Sequence, residues 1–460
     1  MLETTIRLKK WILLSLLTSG LSLQAQESAL SGQYRELVRN YNQDLRRAEH
    51  ASAISQETEK SAKADCLPSL SANANFNYTG NPRELSVEIP SIETPLYFQG
   101  RDVKYGASLT LTQPVYSGGA LKVNYEKARK EHESARLEQR RLLNDILHDA
   151  DVRYWNKVAL DEMARVAREY QNSIATLVKV VGHRVREGYT DRNDLLMAEV
   201  KLNDADYRLI QARDNAEVAR LALNAYSGIP SEQVIPTDSI IPPLSEPAYG
   251  NIVETAMSQR VELSIATNQV DIQTSNARIA NARYLPKFSI GIDGSYASPG
   301  YDFTADLSPN YAIYAKLSIP VFEWGKRRNT RSAGKHGIRM ATENYSKVED
   351  NIRLEAETAY YSYTQALQKV RLTGSSLQKA KESERLAMEK YKEGHLSIVE
   401  VINAQLYHLD ANINYIQSKR DACFAKSGFD RALGLYARKN KGIKKGYPHG
   451  QPISIVNLKI

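Results

Sequence analysis

The chain has 460 residues, 25% of them charged and 42% hydrophobic, too apolar for a disordered chain and long enough for two or three domains or one elongated one. A formal net charge of +8 is modest for this length, and no stretch packs Lys and Arg with aromatics as a nucleic-acid surface would. Tyr outnumbers Phe by 27 to 7, a bias toward rings with a polar tip that suit a membrane–water boundary.

At the start, Arg7, Lys9 and Lys10 precede the apolar run WILLSLLTSGLSL at 11–23, and Ala25 offers a small residue for cleavage. The pattern predicts a secretory signal peptide over 1–25, because the apolar run is too short to span a membrane and polar sequence follows it. No cysteine follows the cleavage point, so no lipid anchor is expected there, and no later run is long and apolar enough for a transmembrane helix. Cys66 and Cys423 are read as two separate thiols rather than a disulfide framework.

The mature chain then states one unit twice. At an offset of 206, Pro114 falls on Pro320, Gly119 on Gly325, Gly188 on Gly394 and Gly228 on Gly434. Upstream the offset is 218, with Asp44-Leu45 falling on Glu262-Leu263 and Leu67-Pro68 on Leu285-Pro286. The change of 218 − 206 = 12 predicts a longer loop in the first copy, between Pro68 and Pro114. The boundaries are a first repeat at 26–228, a linker at 229–248, a second repeat at 249–434 and a tail at 435–460.

Each repeat begins with a helix, about 31–65 in the first. After each Leu-Pro the sequence alternates strictly. Leu70, Ala72, Ala74, Phe76 and Tyr78 are separated by Ser and Asn, and Tyr105, Ala107, Leu109 and Leu111 follow the same rule. The second copy gives Phe288, Ile290, Ile292 and Tyr296, then Tyr311, Ile313, Ala315, Leu317 and Ile319. Period two predicts strands at 70–79, 105–114, 288–297 and 311–320, each about ten residues long, the length a tilted strand needs to cross a bilayer. A half-buried sheet in a soluble protein would show the same alternation.

Long proline-free stretches follow each strand pair and predict helical hairpins at 120–227 and 326–434. Trp155, Ala159, Met163, Val166, Tyr170, Ile174, Leu177 and Val181 step by three or four, one buried stripe along a nearly straight helix. In KEGHLSIVE one helix closes on Gly394 and the next opens on Ser397, with Glu400 completing a capping box. REGYTDRND repeats this with Gly188, Thr190 or Asp191, and Asp194. The first long helix, about 100 Å at 1.5 Å per residue, matches the two shorter helices of its repeat laid end to end. Four strands per chain cannot close a barrel and an open edge is forbidden in lipid, so chains must share one: two would give eight strands with a filled interior, three would give twelve with a lumen.

With DLRRAEHASA and VELSIATNQV, LPSLS and LPKFS, QPVYSGGA and IPVFEWGK, and EGYTDRNDLLMAE and EGHLSIVEVINAQ in this order, the sequence resembles the TolC-type outer-membrane efflux proteins over nearly the whole mature chain. The resemblance implies an α+β membrane protein: a homotrimer with a shared twelve-stranded barrel in the outer membrane of a Gram-negative bacterium, and a long α-helical tube in the periplasm. The tube would dock a periplasmic adaptor and an inner-membrane pump, with the linker and tail forming a collar. It further implies a periplasmic aperture at Asp194, Tyr391, Glu400 and Asn403, and adaptor-docking tips at Gly188, Tyr189, Gly394 and His395. Where the family carries an arginine that binds the Asp194 position, this chain has Leu396, and Asn403 leaves one acid ring where the family pattern has two. The resemblance fits the outer-membrane duct of a tripartite efflux system or of a type I secretion system. A soluble periplasmic coiled-coil protein is the third reading. No HExxH, GxSxG or Gly-rich phosphate motif appears, so neither an enzyme nor a cofactor or metal site is expected.

Overall fold

The computed structural model describes residues 28–88, 90, 94–247, 250–299 and 306–436. The expected signal peptide and most of the tail lie outside these residues. The helices are α1 (Ala29–Tyr41), α2 (Gln43–Ala64), α3 (Ala120–Arg186), α4 (Arg192–Ser227), α5 (Ile252–Gln259), α6 (Val261–Ala282), α7 (Lys326–Lys392) and α8 (Ile398–Ala432). The strands are β1 (Ser69–Tyr78), β2 (Glu84–Val87), β3 (Leu96–Gln99), β4 (Val103–Ser117), β5 (Lys287–Ser298) and β6 (Ser308–Ser318). No helix among the described residues is long and apolar enough to cross a membrane.

The duplication is visible in the element bounds. Adding 206 to the ends of α3 gives the ends of α7, and each long helix has 67 residues. One expectation is corrected. The helix that enters each repeat is not continuous: the first copy breaks at Asn42 and the second at Arg260, positions related by the upstream offset of 218. At Asn42 the cause is local. Its side-chain oxygen accepts from the amides of Asp44 (2.9 Å) and Leu45 (3.2 Å), satisfying donors at the start of α2 that a continuous helix would pair with its own carbonyls.

The described residues divide into two compact units. One comprises the described residues of 48–138 and 262–348, the other the remaining described residues. The first holds a four-stranded antiparallel sheet in the order β1-β4-β5-β6. Its register aligns apolar residues across all four strands. Leu70 faces Leu111, Leu111 faces Ile292, and Ile292 faces Ile313. The next row on the opposite face is Ser71, Thr110, Asp293 and Ala312. Apolar side chains lie open within the chain: Phe76, Leu109, Ile292 and Ile313 are 73%, 55%, 45% and 75% exposed. Among the described residues, strands β1 and β6 are the sheet's edges, with no strand paired on their outer sides. The extra length of the first copy lies between β1 and β4 and carries the β2–β3 hairpin.

The other unit is helical. The stripe read from the sequence is its core: Trp155, Ala159, Val166, Tyr170, Ile174, Leu177 and Val181 are all buried. A polar network sits beside it. Asp151, 3% exposed, accepts from Arg35 Nε at 2.6 Å and from the Tyr436 hydroxyl. Tyr436 also shares a 2.7 Å hydrogen bond with Ser427, which lies 2.8 Å from His148 Nδ1. Burial, and then the neighbouring Asp151 charge, keep the Tyr436 hydroxyl protonated far above its ordinary range. The described part of the linker lies on this unit. Tyr154 donates to Asp238 at 2.7 Å and Tyr363 to the Ser245 carbonyl at 2.6 Å. Both cysteines are free, and burial pushes the Cys423 thiol up to about 12.

Candidate functional site: the paired hairpin tips

Each long helix ends in the same hydrogen-bonded closure. The Gly188 amide donates to the Val185 carbonyl and Tyr189 to that of Arg184; Gly394 and His395 repeat this with Tyr391 and Lys390. Gly188 and Gly394 lie at φ +78° and +83°, the left-handed region that a side chain disfavours, so glycine is what lets the chain turn here. Gly188, Tyr189, Gly394 and His395 are all exposed, with Tyr189 at 72%.

The helices leaving the tips are capped as the sequence indicates. Of Thr190 and Asp191, Asp191 is the N-cap of α4 and accepts from the Asn193 amide at 3.0 Å. The Thr190 hydroxyl instead donates to the Asp194 carboxylate. Ser397 and Glu400 form the full capping box: Glu400 accepts from the Ser397 amide at 3.0 Å and from its hydroxyl at 2.7 Å. These bonds hold the Glu400 carboxyl below its ordinary range. Both sequence-predicted acids are therefore engaged in the turns that open their helices.

The bonds around Glu400 predict separable outcomes. Glu400→Gln is expected to keep the melting temperature, because an amide oxygen can accept the same bonds, and Glu400→Ala to lower it. A depressed carboxylate stabilises the fold above its unfolded value, and that contribution is lost as pH falls through the folded one. An acid-induced drop in the melting temperature should accordingly be smaller in the Gln variant than in the wild type. Equal melting of all three chains would remove Glu400 from the cap.

Tyr391 does not face open space within the chain. It is 3% exposed, packed with Leu177, Val181, Ala198, Ile398, Val401 and Ile402, with Leu396 beside them. Burial raises its pKa, opposed by the Arg184 charge and aided by that of Asp194. Glu400 and Asn403 are exposed, and with Tyr407 and Asp410 they form an open stripe on α8 at steps of three, four and three.

The contact that the sequence does not show is made by Arg184, a cation in the last turn of α3. Its charge suited the end of its own helix, but its guanidinium reaches the end of the other long helix. Nη1 donates to the carbonyls of Tyr391 (2.6 Å) and Lys392 (3.3 Å), and Cζ lies 5.0 Å from the centre of the Tyr391 ring. Arg184 thus adds a charged donor to the Tyr391 carbonyl, which also accepts from the Gly394 amide, and meets that of Lys392, at the end of α7 where the dipole favours a cation. Further along, Ser173 donates to Glu384 at 3.0 Å and accepts from Gln405 at 2.8 Å, and Glu384 bonds His408. Lys419 and Glu162 add a 2.7 Å ion pair between α8 and α3. The two hairpins of the chain are therefore held to each other by polar contacts as well as by the core.

Residues 35–229 and 252–435 match the outer membrane efflux protein family. The pyoverdine export outer membrane protein OpmQ of Pseudomonas putida is 20% identical over 225 residues, 49% of this chain and 48% of that protein. The chain thus matches about half the length of that curated relative. Among solved structures, the CmeC outer membrane channel of Campylobacter jejuni superposes with a TM-score of 0.74 at 17% identity, covering 88% of this chain and 86% of that one. The open state of the MtrE outer membrane channel of Neisseria gonorrhoeae gives 0.71 at 16% identity, covering 88% of each. VceC of Vibrio cholerae gives 0.73 at 15%, covering 88% and 96%. At these identities the structures speak for the fold, and the matched family spans most of the sequence, both copies of the repeat included. This chain belongs to the outer membrane efflux protein family.

Proposed function

We propose that three copies of the chain form a passive duct through the outer membrane, the exit of a tripartite efflux system completed by a periplasmic adaptor and an inner-membrane pump. One observation carries this reading: a four-stranded sheet with an open apolar face and two edges that no strand among the described residues pairs. Such a sheet is stable in lipid only when its edges are paired, and three copies would give the twelve strands that leave a lumen. Exposed apolar stripes on the helices support assembly. Leu196, Val200, Tyr207, Ile210, Val218 and Leu221 follow one face of α4, and Leu354, Tyr361, Leu372 and Leu386 one face of α7.

In this reading the exposed tips at Gly188, Tyr189, Gly394 and His395 receive the adaptor. The α8 stripe of Glu400, Asn403, Tyr407 and Asp410 lines the aperture, with Tyr391 and Asp194 behind it. Likeness to a pyoverdine export protein supports a small exported molecule.

The test places single cysteines along β1 and β6 in a chain with Cys66 and Cys423 replaced by Ser. Interchain disulfides between the two edges, in a heat-dissociable trimer extracted from the outer membrane, are the expected result. A soluble periplasmic monomer would refute the duct. Loss of the gene should also raise cellular retention of the cognate pump's substrate.

A further inference from the structure

We propose that residues 321–339 form a docking surface for anionic phospholipid headgroups on the periplasmic leaflet of the outer membrane. This segment runs VFEWGKRRNTRSAGKHGIR and carries six cations, Lys326, Arg327, Arg328, Arg331, Lys335 and Arg339, against the single acid Glu323. Arg327, Arg331 and Lys335 are spaced by four on α7, and Arg328 and Arg339 flank them on the same face. All five are exposed, and none forms an ion pair among the described residues.

The fold alone gives no reason for this arrangement. Three cations occupy the first turn of α7 and no acid accompanies them, where the helix dipole favours the opposite charge. The first copy supplies an internal comparison. The corresponding turn of α3 begins Ala-Leu-Lys, with one cation instead of three, and two of the cations that follow have partners: Lys127 with Glu131 at 3.4 Å, and Lys130 with Glu133 and Asp271, each at 3.3 Å. An anion from outside the chain would meet the cations of the second copy, whereas Lys127 and Lys130 of the first are already met.

The residues just before α7 identify the kind of anion. Phe322 and Trp324 are 70% and 88% exposed, with ring centres 5.0 Å apart. Trp324 has φ +43° and Gly325 φ +78°, and the same two positions in the first copy are Gly118 and Gly119, at +66° and +80°. A backbone that the first copy gives to two glycines here presents an indole to the outside. Aromatic rings beside a cluster of Arg match a membrane surface, the rings entering the interfacial layer and the guanidinium forks meeting phosphate oxygens. The position agrees. The segment leaves the end of β6, whose apolar face is open, at the side from which the helices depart, and in the duct proposed above, on which this inference rests, that side faces the periplasm. The headgroup charge is felt within about 8 Å at physiological salt, so Arg327, Arg328 and Arg331 contribute most.

The test uses the full-length oligomer in nanodiscs of phosphatidylethanolamine, alone or mixed with phosphatidylglycerol. Bound lipid is counted by native mass spectrometry and oligomer dissociation is followed on heating. Wild type should retain phosphatidylglycerol above its bulk fraction and dissociate at a higher temperature when it is present. Arg327→Gln/Arg328→Gln/Arg331→Gln should lower that enrichment by about tenfold or more, and Lys122→Gln/Lys127→Gln/Lys130→Gln on the first copy should not. Trp324→Gly should keep or raise the dissociation temperature in detergent while retaining less lipid, a split that a merely structural role would not produce. Unchanged enrichment in the α7 variant overturns the proposal. So does a loss of stability equal in both lipids, which would mean that the cations meet acids of a neighbouring copy. Failure of the wild type itself to enter either disc would instead refute the membrane-spanning reading of the sheet.

Discussion

Replacing Ile292 with arginine is expected to cost about 2–4 kcal/mol of barrel stability, the range for a cation placed on a lipid-facing site near the bilayer midplane. Ile292 stands in the row Leu70, Leu111, Ile292, Ile313, and Leu109 lies on the same face, so Leu109→Arg should behave alike. Thr110→Arg is the control. It adds the same side chain one residue from Leu109 on the same strand, but on the face shared with Ser71 and Asp293, where a lumen would accept it. Heat dissociation of the oligomer in lipid reads the difference. Equal responses on the two faces would mean that the sheet does not divide lipid from lumen.

The second large effect is expected far from the sheet. Asp151→Ala removes the acceptor shared by Arg35 and Tyr436 in a buried site. Truncating one partner of a buried, hydrogen-bonded ion pair typically costs about 3–5 kcal/mol, because the remaining charge loses compensation that water cannot replace. Asp151→Asn should cost less, since it keeps an oxygen for one of the two donors. Chemical denaturation of the detergent-solubilised chain would measure both. A cost for Asp151→Ala within the range of surface substitutions would show that the network contributes little.

The sequence carried most of the architecture, because each element leaves a local mark. The stripe from Trp155 to Val181 has helical spacing, the strands alternate, and Gly188 and Gly394 punctuate the hairpins, so the bounds of α3, α4, α7 and α8 were legible to within a residue or two. The breaks at Asn42 and Arg260 were not, since neither position carries Pro or Gly. At Asn42 the break depends on a side chain capturing two amides, which Asn does in some places and not in others. The β2–β3 hairpin was missed because its strands have four residues each, too few for a period to show.

The tips were half legible. Capping is a matter of neighbours in sequence, so Ser397 with Glu400 could be read directly. Arg184 could not, because its partners are carbonyls on a helix more than two hundred positions away and nothing in GHRVREG marks that contact. The burial of Tyr391 is likewise a product of packing between hairpins. Trp324 in a left-handed conformation runs against residue preference, and only comparison with Gly118 in the first copy hints at it.

The equal length of the two long helices restricts how such a chain can change. Each residue inserted into α3 alone would turn everything beyond it by about 100° and advance it by about 1.5 Å, while α7 stayed as it was. Arg184 would then swing away from the end of α7 and the buried stripe would rotate out of the core. Indels inside either helix are therefore coupled, tolerable only when matched in the other copy or grouped in numbers that restore the angular phase. Length variation should instead collect in the strand-connecting loops, and this chain already shows it there: 79–102 joins the strands of one copy and 299–307 those of the other.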